Sequence, residues 1–193
     1  MPLDPPLQAS QACIAEIEKD EGFEAQSYPD PHNQTKTWAI GFGTNEDWVK
    51  PGMTCTRSQA EGWLMKKVHS IEDVVNRAVN VPLKQYQFDS LVNFTYNVGE
   101  GQLTPVPKGF LGSTLLRKLN AGDYDGASHE FIRWIYAGGK KDPNLLKRRK
   151  EEEAEFDGQS SGPENPPAAT SDSPSSQTVH CPSCGTPLAL APK

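Results

Sequence analysis

Two carboxyl side chains near the start of the chain, Glu21 and Asp30, have the types and spacing of an acid pair. Glu21 ends a predicted helix directly before Gly22, and eight residues separate it from Asp30 at the start of a predicted hairpin. If one carboxyl is kept protonated by burial and the other stays ionised, the pair can hydrolyse a glycosidic bond. Spacing alone does not separate such a pair from solvent-facing acids, which are the commoner case.

The elements that would position these carboxyls are a short helix and a small hairpin. Ser10 is a good N-cap for a helix over residues 10–21, in which Ile14 and Ile17 lie one turn apart. Between residues 27 and 44, prolines mark turns, and apolar residues at 38, 40 and 42 alternate with small or polar ones. This alternation predicts a glycine-rich β-hairpin.

Beyond Pro51 the sequence predicts helix after helix. Thr56 and Gln59 fit a capping box, and apolar residues then keep helical spacing until Pro82. Four more helices are predicted, over about 88–99, 113–122, 125–139 and 142–156. The fold class is therefore α+β, with a small N-terminal lobe carrying the β-hairpin sheet and a second lobe formed by a helical bundle.

Aromatic residues divide the chain into a packed body and a tail. All 16 Phe, Tyr and Trp residues fall in residues 1–158, whereas residues 159–193 have none and are rich in proline and serine. We therefore expect one domain over residues 8–158, a flexible linker over 159–179 and a short tail over 180–193, disordered at the C-terminus.

The formal charge of −6 argues against nucleic acid as a partner, because phosphate binding requires clustered Lys and Arg. A basic run is the exception, and we interpret it as a solvated helix face; it comprises Lys140, Lys141, Lys147, Arg148, Arg149 and Lys150. No apolar segment is long enough to span a bilayer, and the N-terminal residues lack the features of a secretory signal.

The four cysteines are too few and too unevenly placed for a disulfide framework, which indicates reduced thiols. Cys181 and Cys184 form a CxxC knuckle preceded by His180, which is half of a structural zinc site. A second copy of the tail would complete that site by dimerisation. We favour an unstructured or partner-binding tail over this zinc site and over a redox pair, and we expect a monomer unless the tail dimerises.

Seven segments, in this order, resemble the landmarks of the phage-type lysozymes, glycoside hydrolase family 24. They cover about 150 residues: Glu21-Gly22, Tyr28-x-Asp30, WAIGFGTN (38–45), FDSLVNFTYNVG (88–99), STLLRKLNAGDY (113–124), EFIRWIYAGG (130–139) and LLKRRKEEEAEF (145–156). The resemblance implies a lysozyme-like fold and an endolysin that cleaves the β-1,4 bond between N-acetylmuramic acid and N-acetylglucosamine in peptidoglycan, without a cofactor.

The resemblance also implies site residues. Glu21 matches the general acid of the family, and Asp30 matches the aspartate that stabilises positive charge or directs water. The family usually has a threonine where this chain has Ala39, and Thr37 could replace that hydroxyl only if the backbone shifts. Lower-ranked candidates for the substrate cleft are Tyr28, His32, Gly41, Phe42 and Asn97.

Ala39 leaves three interpretations open: a competent hydrolase whose water is held by Asp30 and the backbone, a lytic transglycosylase giving 1,6-anhydro products, and a weakened peptidoglycan-binding or virion component. We read Arg148 and Arg149 as structural. The family implies synthesis in the host cytoplasm, release through a holin-type pore, and action on the cell wall.

Overall fold

A computed structural model describes residues 5–30, 38–103 and 108–159, all within one compact unit. The fold class is α+β, as predicted from the sequence. The elements in chain order are α1 (Gln11–Glu21), β1 (Glu24–Pro29), β2 (Trp38–Gly41), α2 (Arg57–Ala78), α3 (Gln85–Val98), α4 (Thr114–Asn120), α5 (Tyr124–Ser128), a 3-10 helix (Phe131–Arg133), β3 (Tyr136–Ala137), β4 (Lys140–Lys141) and α6 (Pro143–Phe156).

The predicted caps form as local hydrogen bonds. The Ser10 hydroxyl accepts from the Cys13 N–H and begins α1, while Thr56 and Gln59 form the reciprocal capping box of α2. Asp142 accepts from two backbone N–H groups at the start of α6, where proline occupies the first turn. Short-range side-chain chemistry therefore sets where three of the helices begin.

The N-terminal lobe is the antiparallel pair β1–β2, in which Tyr28 lies opposite Ala39 and Glu24 lies opposite Gly41. Helix α2, at 22 residues, is about 33 Å long and packs against both β2 and α3. Helix α3 is the centre of the second lobe, because residues 88–96 are all buried and the helix contacts α1, α2 and α6.

The predicted helix over residues 125–139 is wrong beyond Ser128. The chain forms the five-residue α5, then the 3-10 helix, and then the β3–β4 hairpin, in which Ala137 pairs with Lys140. Phe131 packs edge-on against Phe94 with ring centroids 5.1 Å apart, and Trp134 also packs edge-on against Phe94. Phe131 and Trp134 thus both pack on Phe94. A continuous helix is interrupted here because the backbone takes the conformation that this packing requires.

The interpretation of the basic run as a solvated face is wrong for its two arginines. Arg149 is fully buried and the Arg148 side chain is 11% exposed, whereas the four lysines of the run are exposed. Arg149 Nη2 donates to Glu152 Oε1 at 2.8 Å and to Asn97 Oδ1 at 3.0 Å, and its guanidinium lies 4.9 Å from the Phe94 ring centroid. Arg149 therefore pairs with an acid of the helical bundle, which agrees with the interpretation of this arginine as a structural residue.

His32 and Thr37 lie outside the described residues, as do the linker from residue 160 onward and the tail with His180, Cys181 and Cys184. Within the described ranges, no helix has the length and apolar character needed to cross a membrane.

Substituting Arg149 tests how far the helical lobe depends on its buried cation. Arg149→Ala leaves the buried Glu152 carboxyl beside an empty space, so we expect a loss of about 3–5 kcal/mol in the free energy of unfolding. The matched control is Lys150→Ala at the exposed neighbouring position, where the change should be within about 0.5 kcal/mol. Equal losses in urea unfolding of the two variants would contradict the assignment.

Glu155 gives the fold a pH dependence. Its pKa is raised to about 8 by burial first and then by repulsion from Glu16, Asp89 and Glu152. Between its ordinary pKa and about 8 the folded protein keeps a proton that the unfolded chain has lost, so stability falls as the pH rises through this window. We expect Glu155→Gln to raise the melting temperature at pH 8 by several degrees, and by much less at pH 5. Glu151→Gln, at an exposed carboxyl of α6, is the control; a gain independent of pH would refute this account.

Candidate active site

Glu21 is the last residue of α1, and the helix ends there because Gly22 follows with a φ of 69°. The Gly22 N–H still donates to the Glu18 carbonyl at 3.1 Å, which closes the final turn. The Glu21 side chain is 23% exposed, so its carboxyl lies at the edge of the core and remains accessible from outside.

Arg148 from α6 holds one oxygen of this carboxyl. Its Nη1 donates to Glu21 Oε1 at 3.0 Å, and its Nη2 donates to Asn93 Oδ1 on α3 at 2.8 Å. Its Nε forms ion pairs with Asp20 and Glu152, each at 3.4 Å. Two hydrogen bonds from one planar guanidinium to two different helices fix the orientation of the Glu21 carboxyl.

The other Glu21 oxygen lies beside the turn that follows β2. A Cβ atom added at Gly43 would be 3.6 Å from Glu21 Oε2, and Gly43 has a φ of 77°. The turn is closed by reciprocal backbone hydrogen bonds of 2.9 Å between Ile40 and Thr44. A Cβ at position 43 would be in van der Waals contact with the carboxyl, and the positive φ disfavours any side chain there.

The same turn reaches the second carboxyl. Asp30 directly follows β1, and its Oδ2 accepts from Asn45 Nδ2 at 3.2 Å. Tyr28, two residues earlier, has a pKa raised by burial first and then by the charges of Asp30 and Glu21. The structure thus brings Glu21, Tyr28 and Asp30 together around residues 43–45.

Ala39 lies in β2 opposite Tyr28 and is 3% exposed. Its methyl group offers no hydrogen-bonding group at the position where the resemblance implied a threonine. Asn45 is a polar side chain that contacts Asp30. The sequence analysis did not select Asn45. The available signal was its position two residues after Gly43, at the end of the hairpin segment 38–45.

Three of the cleft candidates also make contacts within the fold. The Phe42 ring is buried against Phe23, at 5.6 Å between centroids. Gly41 packs closely against α2, because an added Cβ would lie 2.7 Å from the Ala60 Cβ. Asn97, near the end of α3, accepts a hydrogen bond from Arg149 Nη2 at 3.0 Å.

Two further side chains complete the surroundings of Glu21. The Tyr96 hydroxyl donates to the Phe42 carbonyl at 3.4 Å, and the pKa of Tyr96 is raised by burial and then by the charge of Glu21. Lys67 Nζ lies 3.8 Å from the centroid of the Tyr96 ring. Neither residue was a sequence-based candidate, because Tyr96 reads as part of an apolar helix face and Lys67 as a surface lysine.

No group of three or more His, Cys, Asp or Glu side chains is arranged to hold a metal ion within residues 5–30, 38–103 and 108–159. The candidate zinc ligands of the tail lie beyond this range. The chemical groups available at the site are the carboxyls of Glu21 and Asp30, the guanidinium of Arg148 and the hydroxyl of Tyr28. Helices α1, α3 and α6 and the turn after β2 hold them in place.

Comparison with known proteins identifies the family. The profile of the phage lysozyme family matches residues 18–152, which include both carboxyls and Arg148. The chain is 39% identical over 167 residues to an endolysin of Bacillus phage PZA, a match that covers 86% of this chain and 61% of the relative. The chain therefore spans less than two thirds of the length of that relative.

Two further matches extend over nearly the whole of the other protein. The endolysin of Salmonella phage P22 is 34% identical, over 78% of this chain and 98% of its own length. The muramidase domain of SpmX from Asticaccaulis excentricus has a TM-score of 0.66 and 28% identity, covering 77% of this chain and 97% of that domain. With a family profile that spans most of its compact unit, this chain belongs to the phage lysozyme family.

Proposed function

We propose that this chain is a peptidoglycan hydrolase that cleaves the β-1,4 bond between N-acetylmuramic acid and N-acetylglucosamine, as the endolysin of a phage. The observation that carries the proposal is the turn at residues 43–45, which lies against Glu21 on one side and binds Asp30 on the other. Similarity to two phage endolysins and to a muramidase domain supports the same substrate class.

In this mechanism Glu21 is the general acid that protonates the glycosidic oxygen. Arg148 occupies Oε1, so the transferred proton leaves from Oε2, the oxygen beside Gly43. Because position 43 has no side chain, a sugar can approach that oxygen closely. The proton stays on the leaving sugar as its new hydroxyl group, and Glu21 is left as a carboxylate. Water then forms the new bond to the anomeric carbon, and the proton it releases restores the acid form of Glu21, directly or through the solvent.

Asp30 stabilises the positive charge that develops on the sugar ring and directs the attacking water. Asn45 holds one carboxylate oxygen of Asp30 in place by donating from its amide. Together with the backbone of the turn, Asn45 supplies polar groups where the buried Ala39 has none. The mechanism uses protein carboxyls and water and calls for no cofactor.

A lytic transglycosylase is the second candidate, and the buried methyl group of Ala39 favours it. With a water-binding hydroxyl missing, the 6-hydroxyl of the muramic acid ring can attack the anomeric carbon instead. Glu21 would still protonate the leaving oxygen, and the product would be a 1,6-anhydro sugar. Either reaction places the action of the chain at the cell wall, and release through a holin-type pore remains part of this proposal.

The first test is Glu21→Gln. Gln keeps the hydrogen bond with Arg148 through its side-chain oxygen but has no acidic proton, so we expect folding to be intact and the lysis of purified cell walls to fall by about 10²–10⁴-fold. The control is Glu24→Gln, at an exposed carboxyl on β1, which should lyse walls at the unmodified rate. Full activity of Glu21→Gln would show that another group is the acid.

The second test identifies the reaction from its products. We expect digests of purified peptidoglycan to carry reducing-end muramic acid, and mass spectrometry separates this from the 1,6-anhydro sugar by the mass of one water. Ala39→Thr should raise the share of reducing ends in any mixture, and the ratio is informative even if the added hydroxyl slows the reaction by crowding. Anhydro products alone would replace hydrolysis by transglycosylation, and binding without turnover would exclude both.

A further inference from the structure

Trp48 is a large aromatic side chain that the proposed mechanism does not use. It is 43% exposed, and among the described residues the other exposed large apolar side chains are Leu103, Ile132 and Tyr136. An indole ring left in water forgoes much of the stabilisation that its burial would bring. Its place in the chain, three residues after Asn45, puts it next to the turn that joins Glu21 and Asp30.

Trp63 on α2 supports the exposed ring from one side. The two ring centroids are 4.9 Å apart with an interplanar angle of 58°, and Trp63 Cε3 would lie 3.7 Å from a Cβ added at Gly41. The tryptophan pair therefore packs beside Gly41, the last residue of β2, directly before the turn that contacts Glu21. A ring with only two side-chain torsions, packed on one side and exposed on another, is a rigid surface for a ligand.

The backbone around Trp48 is held as well. The Val49 N–H donates to the Glu46 carbonyl at 2.9 Å, and the Val49 side chain is 4% exposed. Three residues span at most about 10 Å of extended chain, so Trp48 lies within one or two sugar lengths of Asn45. The chain therefore runs from Gly43 beside Glu21, through Asn45 on Asp30, to Trp48 within eight residues of the end of β2.

We propose that Trp48 binds an N-acetylhexosamine ring of the glycan strand, one or two units away from the bond that is cut. This proposal rests on the proposed function and adds a specificity-determining residue to that site. A β-linked pyranose presents a face of C–H groups, whose positive hydrogens are attracted by the negative face of an indole ring. The hydroxyl groups at the sugar edge remain in water, which suits a platform that is only half buried.

The alternative is that Trp48 serves only to cover Trp63. Trp48→Leu separates the two roles, because leucine keeps an apolar group on Trp63 but has no aromatic face. Trp48→Phe retains an aromatic face and serves as the conservative variant. Tyr136→Ala removes a more exposed aromatic ring, 58% exposed on β3, and is the matched control outside this surface.

The experiment measures binding of the β-1,4-linked tetramer of N-acetylglucosamine by calorimetry, in the slow Glu21→Gln background. We expect Trp48→Leu and Trp48→Ala to weaken binding by about three- to tenfold, the range expected for one aromatic contact. Trp48→Phe should stay within about twofold, and Tyr136→Ala should bind like the parent. With Glu21 restored and peptidoglycan as substrate, Trp48→Leu should raise KM by a similar factor and leave kcat unchanged.

Tryptophan fluorescence gives a readout that a purely structural role would not change. The tetramer should shift the emission of the parent to the blue, and the shift should be lost in Trp48→Phe although that variant still binds. Unchanged affinity and KM in Trp48→Leu would overturn the proposal, as would absence of tetramer binding at millimolar concentration. If the unmodified chain does not cleave peptidoglycan at all, it is the proposed function that fails.

Discussion

A single guanidinium, that of Arg148, fixes the position of the candidate acid. It donates to Glu21 on α1 and to Asn93 on α3, and it lies within 3.4 Å of carboxylate oxygens of Asp20 and Glu152. A cation that is only 11% exposed needs these acceptors, because an unpaired charge would be costly to bury. The three helices must therefore pack together before Glu21 has a defined orientation. The acid depends on a residue 127 positions further along the chain.

The contacts between α1 and α6 differ from one end to the other. At the end near the hairpin, Arg148 links Asp20 and Glu21 to α6. Further from the hairpin, burial raises the pKa of both Glu16 and Glu155, and the charge of Glu16 raises the pKa of Glu155 further. A chain with a net charge of −6 thus places a cation next to the candidate site and leaves carboxyls of α1 and α6 elsewhere with raised pKa values.

The parts of the fold that follow from short-range rules were predictable from the sequence. Ser10, Thr56 and Asp142 begin their helices as caps because each bonds to backbone groups within three residues. The helix over 125–139 was mispredicted because the competing force, packing of Phe131 and Trp134 on Phe94, acts between distant parts of the chain.

The residues of the candidate site divide in the same way, into those marked by their local sequence and those set by contacts in the folded chain. Glu21 and Asp30 could be selected because the family resemblance adds to their places beside recognisable elements, whereas the contacts of Asn45 and Arg148 form only in the folded chain. One signal was present in α6: Arg149 and Glu152 continue the inward spacing of Leu145 and Phe156, which marks that stripe as the buried face. Charge alone, without this spacing, suggested a solvated surface.

Gly41 and Ala60 approach each other so closely that their positions tolerate little substitution, whereas other positions of the N-terminal lobe can vary. With a φ of 68° and 2.7 Å between an added Cβ and the Ala60 Cβ, position 41 accepts no side chain, and position 60 accepts nothing larger than a methyl group. Glu46 and Asp47, in the loop that follows, are exposed and have no such limit. Substitutions at these two positions can therefore accumulate while the backbone beside Glu21 stays fixed.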